Sequence, residues 1–209
     1  MDARTLEDYE RAGVGGCHWQ RGTRWTGPLS DGEIEQVEQR YGIHFRPDHR
    51  LFLQVLHATE PRRFGAAFID ESRMRAIERP GFYHWLRDDA EIRAAFDWLT
   101  DGLAFDVEHN QLWRDSWGAR PSTEAARRDR LGELVASAPR LLPIIGHRYV
   151  LADDPTLVLS VYQSDIIVYG RDLRSFLLHE LHDLLGIADD PEWMNADPRR
   201  VPFWGELID

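Results

Sequence analysis

The chain has 209 residues, of which 43% are hydrophobic and 29% charged, and its formal net charge is −11. That length holds one domain with a sizeable core. The acidic balance repels phosphates, so neither a nucleic acid nor an anionic membrane is expected as a partner.

A single cysteine, Cys17, leaves no internal disulfide and predicts a reducing, cytoplasmic setting. The first residues lack a basic start followed by an apolar run, which predicts no signal peptide. No stretch approaches 18 apolar residues, so no membrane-spanning helix is expected.

Residues 1–28 read as an extension, with Trp19 and Trp25 in a glycine-rich loop that packs onto something else. Ser30 with Glu33 has capping-box spacing, Ile34, Val37 and Tyr41 share one face, and Gly42 supplies the stop. Pro47 opens a second helix with an expected apolar stripe of Leu51, Phe52, Val55 and Leu56. Residues 64–69 suit a strand and 70–78 a helix. Pro80-Gly81 is a break, followed by an aromatic cluster of Phe82, Tyr83 and Trp85. Helical spacing over 91–99 gives way at Asp101-Gly102 to an expected strand over 103–107, closed by Glu108, His109 and Asn110. Residues 113–121 read as a loop. Ser122 is the expected cap of a helix burying Leu131, Leu134, Val135 and Ala138.

Residues 141–170 carry short β-branched and aromatic runs divided by Gly146-His147, by Asp153-Asp154-Pro155 and by a turn holding Asp165, the pattern of a sheet with tight turns. Asp172 caps a last helix over 173–185. From 187 onward, acids and prolines predict an extended acidic tail. The whole reads as one α+β domain, a mostly antiparallel or mixed sheet flanked by helices.

Four groups of residues carry possible chemistry. His179-Glu180-Leu181-His182-Asp183 has the look of a zinc-hydrolase helix, but its second histidine falls at i+3 rather than i+4, and helical spacing turns His179, His182 and Asp183 toward solvent. Cys17-His18 pairs a thiol with an imidazole, but sequence neighbours seldom have nucleophile–base geometry. Asp153, Asp154 and Asp165 occupy turns, where carboxylates close the turn or accept bonds from a basic ligand. Glu108 and His109 beside Trp113 make up a polar strand end, equally suited to a recognition edge and to a packed loop.

Residues 29–38 (LSDGEIEQVE), then Tyr41-Gly42-Ile43 and Pro47-Asp48 leading into Leu51-Phe52-Leu53, resemble the opening of the SUKH superfamily of fungal cell-wall assembly regulators and bacterial immunity proteins. Residues 102–121, 143–149 and 160–170 resemble a bacterial branch of it. The likeness covers about 29–186, leaving 1–28 and 187–209 outside, and His57-Ala58-Thr59-Glu60 replaces the family's glycine-rich turn. The resemblance implies an α+β, non-catalytic protein-binding module without a cofactor. It would be a cytoplasmic immunity protein that neutralises a basic toxin, often a nuclease, with a regulator lacking a toxin partner and a metal-dependent hydrolase as the alternatives. The expected partner-binding residues are Glu108, His109, Trp113, Asp153, Asp154 and Asp165.

Overall fold

The computed structural model describes residues 24–60, 63–70, 73–153, 156–185, 188 and 190–208; residues 1–23 of the N-terminal extension, with Cys17, His18 and Trp19, lie outside them, as do Asp154 and Gly186. The chain is α+β, and its contacts gather into two compact units. One is Met1–Asp88 with Leu177–Asp190, the other Asp89–Phe176 with Pro191–Asp209.

In the first unit Ser30 starts helix α1 (Asp31–Tyr41). Its hydroxyl accepts from the Glu33 amide, and the Glu33 carboxylate accepts in return from the Ser30 amide at 2.8 Å, so two orphan helix donors are satisfied. Gly42 ends the helix at φ 59°, a left-handed turn that a side chain would strain. Ile34, Val37 and Tyr41 are buried as their spacing requires. Helix α2 (Pro47–Val55) buries Phe52 of the expected stripe, together with His49 and Leu53; Leu51 and Val55 are exposed and Leu56 is half-buried. An i, i+3, i+4 set fits one face, and Leu51 and Val55 fall on the opposite flank. Glu38 joins the two helices, accepting from the Phe45 amide at 2.7 Å and from Arg50 Nη1 at 2.9 Å.

Strand β1 (Arg24–Trp25) pairs antiparallel with β2 (Thr59–Glu60), which seats Trp25 against Phe52 and Phe82 with centroids 6.0 and 5.1 Å away. Trp85 packs edge-on against Tyr41 and Phe45. The expected strand is β3 (Arg63–Asp70). The expected helix over 70–78 is instead β4 (Arg73–Pro80), in antiparallel register with β3 from Asp70↔Arg73 to Arg63↔Pro80. Its Arg, Met, Ala and Glu content favours a helix, but a hairpin partner that satisfies the backbone overrides that preference.

In the second unit the sheet is an antiparallel meander in the order β5 (Leu141–Ile145), β6 (Arg148–Leu151), β7 (Val158–Tyr162), β8 (Asp165–Val168). Strands β5, β6 and β7 are buried on both faces over most of their length, so their apolar runs are nearly continuous, whereas β8 buries only Ile166. Helix α3 (Asp89–His109) runs 21 residues through the positions expected to be a break and a strand. Ile92, Ala95, Leu99, Leu103 and Val107 are buried along one helical face. Gly102 belongs to that face because a Cβ there would lie 3.1 Å from the Gln163 Cα; the glycine admits the β7–β8 turn. Tyr149 fixes the helix to the sheet, its hydroxyl donating to the Ala95 carbonyl at 2.8 Å.

Thr123, rather than Ser122, caps helix α4 (Glu124–Ser137), accepting from the Ala126 amide at 3.3 Å. Only Leu131 of the expected apolar set is fully buried; Leu134, Val135 and Ala138 are half-buried. Asp172 caps helix α5 (Leu173–Leu185) through the Ser175 amide at 2.6 Å.

The tail is not an extended acidic strand of chain. Trp193, Val201, Phe203, Trp204 and Leu207 are buried, and one-turn 3-10 helices form at Pro198–Arg200 and Trp204–Glu206. Trp204 Nε1 donates to the Pro139 carbonyl at 2.7 Å, Phe203 stacks on Trp117, and Trp193 meets Tyr169 edge-on at 5.0 Å. Burying a large apolar side chain contributes about 1.5–3 kcal/mol, enough to dock five of them despite the acids between.

Candidate functional site

Helical spacing sets the site. Trp98, Phe105 and His109 stand at i, i+7 and i+11 on α3, so they form one ridge beside the buried face. Phe105 is 47% exposed and its ring lies 4.4 Å from that of His109. The β7–β8 turn presses against the ridge. Trp98 contacts Tyr162 at 5.8 Å, Tyr162 is 55% exposed, and His147 of the neighbouring β5–β6 turn reaches Tyr162 at 6.2 Å. Asp165 follows in direct cross-strand register with Tyr162. Asp97 and Asp165 are exposed and make no ion pair among the described residues, and Asp101 pairs with Arg128.

Asp106 locks the arrangement. It is buried, and its Oδ1 accepts from Asn110 Nδ2 at 2.6 Å. Its Oδ2 accepts from the Ser164 amide at 2.8 Å and from the Ser164 hydroxyl at 2.5 Å. One carboxylate therefore ties the end of α3 to the turn that carries Tyr162 and Asp165, and every lone pair it aims inward is met.

The six residues singled out in the sequence do not converge. His109 and Asp165 are exposed on this face. Glu108 is held by Arg127, whose Nε and Nη2 donate to its two oxygens at 2.6 and 2.5 Å; that bidentate bond holds the Glu108 carboxyl below its usual range. Trp113 donates from Nε1 to the Gly118 carbonyl at 2.8 Å and packs edge-on against Trp117. Glu108 and Trp113 thus build the turn after α3. Asp153 is exposed on the β6–β7 connection, at the opposite end of the strands from Asp165, a separation of about 15 Å for a five-residue strand. Asp154 lies outside the described residues.

Trp98, Tyr162 and Asp106 escape a reading that ends the helix at Gly102. The signal was the seven-residue interval from Trp98 to Phe105, visible once the helix continues. On α5 the rings of His179 and His182 stack at 5.5 Å, and the His182 Nδ1 lies 2.6 Å from the His179 carbonyl. Among the described residues no group of three His, Cys, Asp or Glu side chains could hold a metal ion, and no helix is long and apolar enough to cross a membrane.

No family model, curated protein or solved structure matches this chain.

Proposed function

We propose that this chain is a non-catalytic protein-binding module of SUKH type, a cytoplasmic immunity protein that neutralises a basic toxin domain by stoichiometric binding. The α3 ridge and the β7–β8 turn are its binding face. The observation that carries the reading is the solvent-facing pairing of Phe105 and Tyr162 with His109 and the acids Asp97 and Asp165. Aromatic anchors ringed by charge are the composition of protein interfaces, where a few aromatic groups supply most of the affinity. The net charge of −11 favours a basic partner and speeds its encounter at low salt. The resemblance of residues 29–53 and 160–170 to SUKH immunity proteins supports the same class of partner.

The test captures the partner by pull-down with the full chain, then uses a basic toxin domain so captured, in a catalytically inactive form, for isothermal titration. A Phe105→Ala, Asp165→Lys double variant is expected to weaken binding about 100-fold. Asp153→Lys, at the other end of the sheet, is expected to stay within about threefold of the parent apart from a salt-sensitive on-rate. Equal affinity for parent and double variant would remove the face from the interface. Capture of no toxin domain, or of one that is not neutralised, would remove the immunity reading.

A further inference from the structure

The meander has two edges, and the sequence treats them differently. On β5 the turning point is Arg140, whose carbonyl accepts from the Ala152 amide at 2.8 Å. Alternation then bonds Leu142 to β6 and turns Pro143 outward. Pro143 has no amide to offer there, which blunts that edge. On β8 the Tyr169 amide donates to the Val158 carbonyl at 2.7 Å. Asp165 and Ile167 therefore bond inward to β7, and the amides and carbonyls of Ile166 and Val168 point out of the sheet. Those outward groups have no hydrogen bond among the described residues. The strand holds no proline, and its register with β7 runs unbroken from Leu159↔Val168 to Tyr162↔Asp165. This edge is open to pairing.

The side chains beside the edge carry both an apolar group and a matched pair of charges. Ile167 stands opposite Ser160, and Ser160 opposite Arg148, so the three share one face of the sheet. Ile167 is 45% exposed. Arg148 Nη1 donates to Ser160 Oγ at 2.6 Å, and the guanidinium lies 3.6 Å over the Tyr169 ring. Arg148 makes no ion pair among the described residues, and its buried Nε has no hydrogen-bond partner among them. Asp165, two residues before Ile167 on the same face, is exposed and also without an ion pair among the described residues.

We infer that the β8 edge pairs antiparallel with the β8 edge of a second copy of this chain, about a two-fold axis through Ile167. The strand is self-complementary in that register. Ile166 of each copy exchanges both backbone bonds with Val168 of the other, so every outward amide and carbonyl of the two strands is met. Ile167 packs on Ile167 of the second copy, which takes an exposed apolar side chain out of water. Asp165 stands opposite the second copy's Tyr169, beside the Arg148 guanidinium that covers that ring, so each copy brings an acid to the other's arginine. A foreign strand would have to supply an acid and an arginine site at the same spacing; a second copy has both. The strand is four residues long, so the contact is small and the pair transient. The pairing does not rest on the immunity reading, but it covers Asp165, so a second copy and a protein partner compete for that end of the binding face.

Sedimentation equilibrium of the full chain alone, from about 5 to about 500 µM, is expected to show the mass rising from that of one chain toward that of two, with Kd on the order of 100 µM. Ile167 is exposed, so Ile167→Lys keeps the fold, which an unchanged circular-dichroism spectrum checks. It sets two like charges face to face and is expected to raise Kd about tenfold or more. In a Cys17→Ser background, Ile167→Cys is expected to form a disulfide between copies under mild oxidation, because residues in a non-hydrogen-bonded pair have Cα atoms about 4.5 Å apart, within disulfide reach. Asp153→Cys, at the other end of the strands, is expected to stay unlinked. A chain monomeric throughout the range overturns the inference and leaves the edge to a strand of another protein. An unchanged Kd in Ile167→Lys, or cross-linking no faster at 167 than at 153, also overturns it.

Discussion

Lowering the pH from 7 to 4 is expected to destabilise the α1–α2 unit strongly, and His49 is the main cause. His49 is buried among Phe45, Phe52 and Trp85, and neither ring nitrogen has a hydrogen-bond partner among the described residues. Burial lowers its pKa from 6.5 to about 3. His57 is lowered to about 4, first by burial and then by the charge of His84, whose ring lies 4.3 Å away. Its Nε2 accepts from the Trp85 amide at 3.2 Å, which requires the neutral ring with its proton on Nδ1. Both folded pKa values lie below the unfolded value. The stabilisation is therefore complete above about pH 6.5 and is lost as pH falls toward the folded values, since the unfolded chain takes up the protons first. His49 alone costs about 1.4 kcal/mol per pH unit, on the order of 3 kcal/mol by pH 4, against a total stability of about 5–15 kcal/mol. His57 acts in the same direction. Trp25 and Trp85 report the transition by fluorescence. A His49→Leu variant is expected to keep its fold at pH 7 and to shift the acid midpoint downward. An unchanged midpoint would mean that His49 does not drive the transition.

Asp106→Ala is expected to cost about 1–3 kcal/mol, because it strips partners from the half-buried Ser164 amide and hydroxyl and from Asn110 together. Chemical denaturation at pH 7 measures it. Asp106→Asn keeps the volume and one acceptor oxygen, so about half of the loss is expected to return. The substitution also frees the β7–β8 turn from α3, so amide exchange at Ser164 and Asp165 should quicken more than that of β5 and β6. A loss under about 0.5 kcal/mol would show that the turn is held by Gly102 and Trp98 alone.

Local chemistry made part of this fold legible. Ser30, Glu33 and Gly42 mark the ends of α1 in the sequence itself, and the β-branched runs between Gly146, Pro155 and Ser164 mark the meander. Elements decided by distant partners were hidden. Asp101-Gly102 has the composition of a break, but the glycine is there to admit Gln163, a contact 61 residues away. Residues 73–80 prefer a helix until β3 is beside them. The tail's buried Trp193, Phe203 and Trp204 follow no period, so only their burial separates them from a disordered acidic run. His57 adopts φ 67° at the point where a glycine-rich turn was the family expectation; its ring bond to the Trp85 amide holds that left-handed backbone in place.

The candidate site shared this fate. His109 and Asp165 were legible as exposed polar groups. Their neighbours Trp98 and Tyr162 were not, because a helix misread as helix, break and strand scatters residues that lie on one ridge. Glu108 looked available until Arg127, 19 residues on, closed over both its oxygens.

Hydrogen exchange on the full chain, free and saturated with a basic toxin domain captured by pull-down, tests the binding face most directly. The account predicts slowed exchange at residues 98–109 and 162–166, with residues 24–60 and 195–200 unchanged. Protection confined to the β6–β7 connection and the tail, with the α3 ridge exchanging as in the free protein, would contradict it.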